Sequence, residues 1–82
     1  MPRSHLSLPF SGSRLREMRE RRGLTRPALV MRCREVGHSV TAQHLCRLEA
    51  GTHKPSAPLL KALAEALGGA VDDLLDATLK SA

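Results

Sequence analysis

Apolar residues recur along most of this chain at helical spacing and nowhere alternate as they would in a half-buried strand, so the pattern predicts helices throughout. Leu15 and Met18 share a face with Arg22 in an Arg-rich segment that either Ser11 or Ser13 could cap and that Gly23 stops. Thr25 then caps a second helix from about Arg26 to Val36. Pro27 is tolerated in its first turn, where amide hydrogens lack intrahelical partners, and Leu29, Val30 and Cys33 recur on one face. Gly37 ends that helix, and the link His38–Ser39–Val40 leads to Thr41, the cap of a third helix, Ala42 to Ala50, which carries Leu45 and Leu48 and closes at Gly51. After the loop Gly51–Pro55, Ser56 caps the strongest amphipathic stripe of the chain: Leu59, Leu60, Leu63, Ala64 and Leu67, stopped by Gly68 and Gly69. Val71, Leu74 and Leu75, with Asp72 and Asp73 where a helix dipole favours negative charge, predict a short fifth helix. The pattern as a whole predicts an all-α, compact five-helix domain over residues 11–79 and a short tail at 80–82. Ahead of them lies an arm at 1–10, which holds two prolines and no period and is expected to be flexible, with Phe10 placed to pin its end.

Size limits what such a domain can do. A chain of 82 residues has room for one domain with a marginal core, and five short helices leave little space for a catalytic pocket, so no enzyme is expected. Two cysteines, Cys33 and Cys46, cannot frame a disulfide-stapled secreted fold, and no charged-then-apolar leader opens the chain, so a cytoplasmic location is expected. No apolar run approaches the ~20 residues that cross a bilayer, so no membrane partner is expected.

Charge changes the picture once it is split along the chain. Residues 1–54 hold 11 Lys+Arg against 4 Asp+Glu, a balance of +7, whereas residues 55–82 hold 2 against 4, a balance of −2. A polyanion-binding face needs such asymmetry, because each neutralised phosphate releases counterions; a merely solvated Arg-rich surface would show the same balance. Single-strand and RNA binders stack bases on aromatic rings, and Phe10 is the one Phe, Tyr or Trp here, so duplex DNA is the favoured polyanion.

A set of motifs narrows the expectation. Gly23–Leu24–Thr25, Leu29, Val40–Thr41, Leu45, the run Arg47–Leu48–Glu49–Ala50–Gly51, then Pro55–Ser56 and Leu67 through Leu74–Leu75 resemble the Cro and phage-repressor type of helix-turn-helix domain, often called Xre-like, over roughly residues 12–76. The combination is specific where no single piece would be. The resemblance implies a lambda-repressor-like fold, sequence-specific binding to double-stranded DNA, and a role in transcription regulation with the third helix in the major groove. The chain departs from the compact pattern in one place: it carries several residues more between Leu29 and Leu45, so helix two, the turn, or both must be longer.

The third helix then divides by angle. At about 100° per residue, Thr41, Leu45 and Leu48 cluster on one side while Gln43, Arg47 and Ala50 cluster opposite, flanked by Ala42 and Cys46. Arg can grip guanine O6 and N7, and Gln adenine N6 and N7, each with two hydrogen bonds, which makes Gln43 and Arg47 the base-reading candidates. Small Ala42 permits close approach or contact with a thymine methyl. Any exposed helix face carries some Arg and Gln, so these assignments lean on the resemblance. Phosphate contacts are expected from Arg26 at the start of helix two, from Thr41, and from the loop Thr52, His53 and Lys54 that matches the family's backbone-gripping segment. A solvated reading also fits Arg32, Arg34 and Lys54, but Lys54, like Arg26, matches a contact position of the family, whereas Arg32 and Arg34 lie in the divergent stretch. The resemblance further implies a structural ion pair between Arg19 and Glu49.

His5, His38, His44, His53, Cys33 and Cys46 show no Cys-x-x-Cys or His-x-x-x-His spacing, so neither a metal nor any other cofactor is expected, and Cys33 reads as a small core residue. Two function classes follow: a DNA-binding regulator, expected to act as a homodimer at least on DNA because one short helix reads few base pairs, or a protein-interaction module, antitoxin-like or an adaptor, that uses the same helices for a regulatory protein partner. The polar outer face of helix three favours the first. The apolar residues between Val71 and Leu79 exceed what so short a helix needs, which suggests that segment as the dimer surface.

Overall fold

The computed structural model describes residues 10–75. Four α-helices appear in chain order: α1 (Gly12–Arg21), α2 (Arg26–Glu35), α3 (Ala42–Ala50) and α4 (Ala57–Leu67). Each starts on a hydroxyl cap. Ser11, rather than Ser13, caps α1 by accepting the amide hydrogen of Arg14, and Thr25, Thr41 and Ser56 do the same for Ala28, His44 and Leu59. The expected fifth helix is a four-residue 3-10 turn, Val71–Leu74, followed by extended backbone at Leu75. Four residues are too few to close an α-helical ladder. Leu75 instead forms an isolated antiparallel bridge with Phe10, and Ser11 N–H donates to the Leu74 carbonyl at 2.9 Å. Residues 1–9 of the expected arm, and residues 76–82 with the end of the domain and the tail, lie outside the described residues.

α4 is the central element. Seven of its eleven residues, Leu59, Leu60, Ala62, Leu63, Ala64, Ala66 and Leu67, are buried, and α2 and the 3-10 turn pack on it. Alanines between the leucines let backbones approach, and the leucines fill the space with Leu15, Leu29, Cys33, Leu45, Leu48 and Leu74, all with no exposed surface. Leu74 and Leu75 are thus consumed in the chain's own core. The apolar surplus that suggested a dimer surface there is spent within the monomer, at least as far as residue 75.

Two glycines act through backbone geometry. Gly37, at φ 92°, turns the chain after α2, and the link Val36 to Thr41 spans six residues where a helix-turn-helix turn is usually about three or four. Part of the extra length read from the sequence therefore lies in the turn. Gly12 opens α1 directly against the end of α3, where a Cβ would collide with the Leu48 carbonyl oxygen and lie 2.7 Å from that of Glu49. Only a residue without a side chain permits this approach. It sets the positive end of α1 over the negative end of α3.

Candidate nucleic-acid interface

The inner side of α3 is locked to the body of the molecule. Leu45 and Leu48 are fully buried, and Glu49, one residue on, has a side chain only 3% exposed. Arg19 of α1 meets it with Nε on Oε2 at 2.6 Å and Nη2 on Oε1 at 3.2 Å, while its Nη1 donates to the Leu24 carbonyl at 2.7 Å. Arg26 of α2 completes the cluster, with Nε 3.1 Å and Nη2 3.0 Å from Glu49 Oε1. The hydrogen bond from Arg19 to Glu49 raises the guanidinium pKa above its ordinary value, against the opposing effect of burial, so Arg19 stays charged. One carboxylate thereby joins three helices and the loop before α2. No buried side-chain nitrogen or oxygen among the described residues is left without a partner.

Opposite this lock, Gln43, Cys46, Arg47 and Ala50 are exposed, and Ala42 is half-buried at the first turn. Gln43 and Arg47 stand four residues apart, one turn of the same face. Among the described residues neither makes a side-chain hydrogen bond or ion pair, so their donors remain for a ligand. Thr41 caps α3 through its hydroxyl oxygen, which accepts from His44 N–H at 3.0 Å and leaves its own proton to donate. Thr52 closes the other end: its hydroxyl lies 3.2 Å from the Arg47 carbonyl and 3.1 Å from His53 Nδ1. Lys54 is exposed beside them and has no ion-pair partner among the described residues.

The sequence-predicted site residues therefore fall into two groups. Ala42, Gln43, Arg47, Thr41, Thr52, His53 and Lys54 lie together along α3 and the loop that leaves it. Arg26 stands apart, because its guanidinium is committed to Glu49 and only the donors that Glu49 does not take remain for a phosphate.

Other arginines have tasks that periodicity did not reveal. Arg22 donates from Nε to the Leu67 carbonyl at 2.6 Å and Arg32 from Nη1 to the Ala66 carbonyl at 3.3 Å, so two cations sit on the negative end of α4. Arg32 is thus more than a solvated side chain, since it caps a helix. Arg16 and Arg21 pair with Glu20 and Glu17 along the surface of α1. Arg19, Arg22, Arg26 and Arg32 are thus committed within the protein, whereas among the described residues Arg47 and Lys54 are unpaired cations beside the outer face of α3. His38 and His44 also border this region: with Arg47, Lys54 and Ser56 they line an open groove between the α2–α3 link and the start of α4. His44 lies three residues before Arg47, a spacing that places both on one flank. That was the available sequence signal.

Among the described residues no three His, Cys, Asp or Glu side chains gather as a metal-ligand set, and no helix is long and apolar enough to cross a membrane. No curated protein matches the chain. A family model described as a helix-turn-helix domain matches residues 12–77, from the first residue of α1 past the 3-10 turn, and takes in both α2 and α3 with the six-residue link between them. With four helices in this order, a capped third helix locked on one side and open on the other, and a match over most of its length, the chain belongs to the helix-turn-helix domain family.

Proposed function

We propose that this protein is a sequence-specific, double-stranded DNA-binding transcription regulator of the Cro and phage-repressor (Xre-like) branch, with α3 in the major groove. The observation that carries this reading is the outer face of α3, where Gln43 and Arg47 keep all their side-chain donors while the opposite face is fixed by Leu45, Leu48 and Glu49. A reading helix must be held rigidly from behind, since a bidentate contact tolerates little misplacement. Gln43 and Arg47 read base edges and Ala42 allows the helix to seat closely. Thr41, Thr52, His53 and Lys54 grip the sugar-phosphate backbone, and Arg26 adds the donors it does not spend on Glu49. Because a nine-residue helix spans few base pairs, the regulator acts as a homodimer on paired half-sites.

Fluorescence anisotropy with a selected operator and random duplexes, at several salt concentrations, tests the proposal. The expected result is tight, salt-dependent binding with preference for the operator and two chains per palindromic site. Lys54→Ala should weaken all sequences alike and flatten the salt slope by about one. Failure to bind any duplex with salt dependence would replace this reading with a protein-interaction module.

A further inference from the structure

The groove beside α3 is built from four segments. His38 comes from the α2–α3 link, His44 and Arg47 from α3, Lys54 from the α3–α4 loop, and Ser56 and Leu59 from the start of α4. His53 sets its ring against His44, with centroids 6.0 Å apart and planes 71° apart. Among the described residues the ionisable groups that line the groove are Arg47, Lys54, His38 and His44, with His53 beside it, no carboxylate is among them, and α4 contributes no charged side chain to it. Glu49, the one carboxylate of α3, is turned the other way and held by Arg19 and Arg26. The hydroxyl oxygens of Thr41 and Ser56 accept amide hydrogens from His44 and Leu59, at 3.0 and 3.3 Å, which leaves each hydroxyl proton available to an acceptor in the groove.

Imidazoles ordinarily titrate near pH ~6.5. Among the described residues the lining offers an added positive charge no carboxylate partner. An anion in the groove supplies a negative partner, and its oxygens accept from hydroxyl, ammonium and imidazolium at once.

We propose that this groove seats a backbone phosphodiester of the bound duplex, and that His38, His44 and His53 are binding residues that take up protons as the DNA docks. The proposal rests on the duplex-binding reading above. Its sign follows from linkage: the imidazolium form is favoured in the complex over the free protein. The gain in affinity is therefore present at acid pH and is lost as pH rises and the complex gives up those protons.

Duplex affinity measured at constant ionic strength should rise as pH falls from about 8 to about 5.5, by roughly tenfold for a linked proton whose affinity shifts by about one pH unit. The combined variant His38→Asn, His44→Asn, His53→Asn should lose the pH dependence, binding with the same affinity at about pH 8 and about pH 5.5. Calorimetric titration of the unaltered protein in two buffers of different ionisation enthalpy counts the protons directly, without relying on a variant, and should show net uptake. Wild-type affinity that does not change on acidification, zero proton uptake, or a triple variant that keeps the slope would each overturn the proposal while leaving duplex binding intact. Absence of duplex binding at every pH would instead overturn the reading on which it rests.

Discussion

The two faces of α3 meet arginines put to opposite use. On the inner face, Arg19 is 9% exposed in its side chain and surrounds Glu49 together with Arg26; on the outer face, Arg47 is exposed and has no side-chain partner among the described residues. Solvent decides between these roles. A guanidinium removed from water must have its charge and donors satisfied by the protein, whereas an exposed one can wait on water for a ligand. The inner cluster should therefore govern stability and the outer face affinity, with little exchange between the two.

Glu49→Ala breaks this division most severely. It leaves Arg19 buried without its carboxylate and releases Arg26, at a cost on the order of 3–5 kcal/mol, enough to unfold much of a domain this small. Urea denaturation followed by circular dichroism should show the loss, and an unchanged midpoint would remove the inner face from the comparison. Gly12→Ala comes next. Its methyl group must displace the Leu48 and Glu49 carbonyls, so α1 separates from α3 at a cost of about 1–3 kcal/mol in the same measurement.

Arg47→Ala sharpens the other side. Operator binding should weaken by about 1–3 kcal/mol with relaxed sequence preference, while the unfolding midpoint stays within about 0.5 kcal/mol of wild type. A large loss of stability would show that the outer face is structural as well. Arg22→Gln, away from both faces, removes a charge-assisted bond to the end of α4 and should cost about 1 kcal/mol with no change in DNA preference.

The smallest effect is alkaline. Burial raises the Cys33 thiol above its ordinary value of 9.0, so the folded state keeps a proton that the unfolded chain gives up. That contribution is whole below the unfolded value and is lost as pH rises past it. The urea midpoint should accordingly fall on the alkaline side of neutrality in the wild type and in Cys46→Ala, whose exposed thiol is the control, and fall less in Cys33→Ala.

Helix positions were legible because their causes are local. Thr25, Thr41 and Ser56 cap amides three residues away, and the bounds of α3 follow from Thr41 and Gly51 alone. The outer face of α3 was legible too, since the rotation per residue separates Gln43 and Arg47 from Leu45 and Leu48. The short helix at Val71–Leu74 is legible in place but not in type, because its apolar spacing suits an α-helix while its four residues and the docking of Leu75 onto Phe10 make it a 3-10 turn. The place of His38 and His44 beside Lys54 is not legible in their spacing, because it depends on how the α2–α3 link and the α3–α4 loop meet.

Sequence by itself determined the four α-helices, their order, the apolar stripes that make the core and the polar face left over on α3. All of these follow from contacts within a few residues. Tertiary structure alone decided which arginines remain available. Arg26 reaches across 23 residues to Glu49, Arg32 across 34 to Ala66 and Arg22 across 45 to Leu67, and Gly12 owes its lack of a side chain to a carbonyl on another helix. The charge of a side chain is written in its own residue. Whether that charge is spent on the protein or kept for a partner depends on which distant oxygen the fold brings beside it.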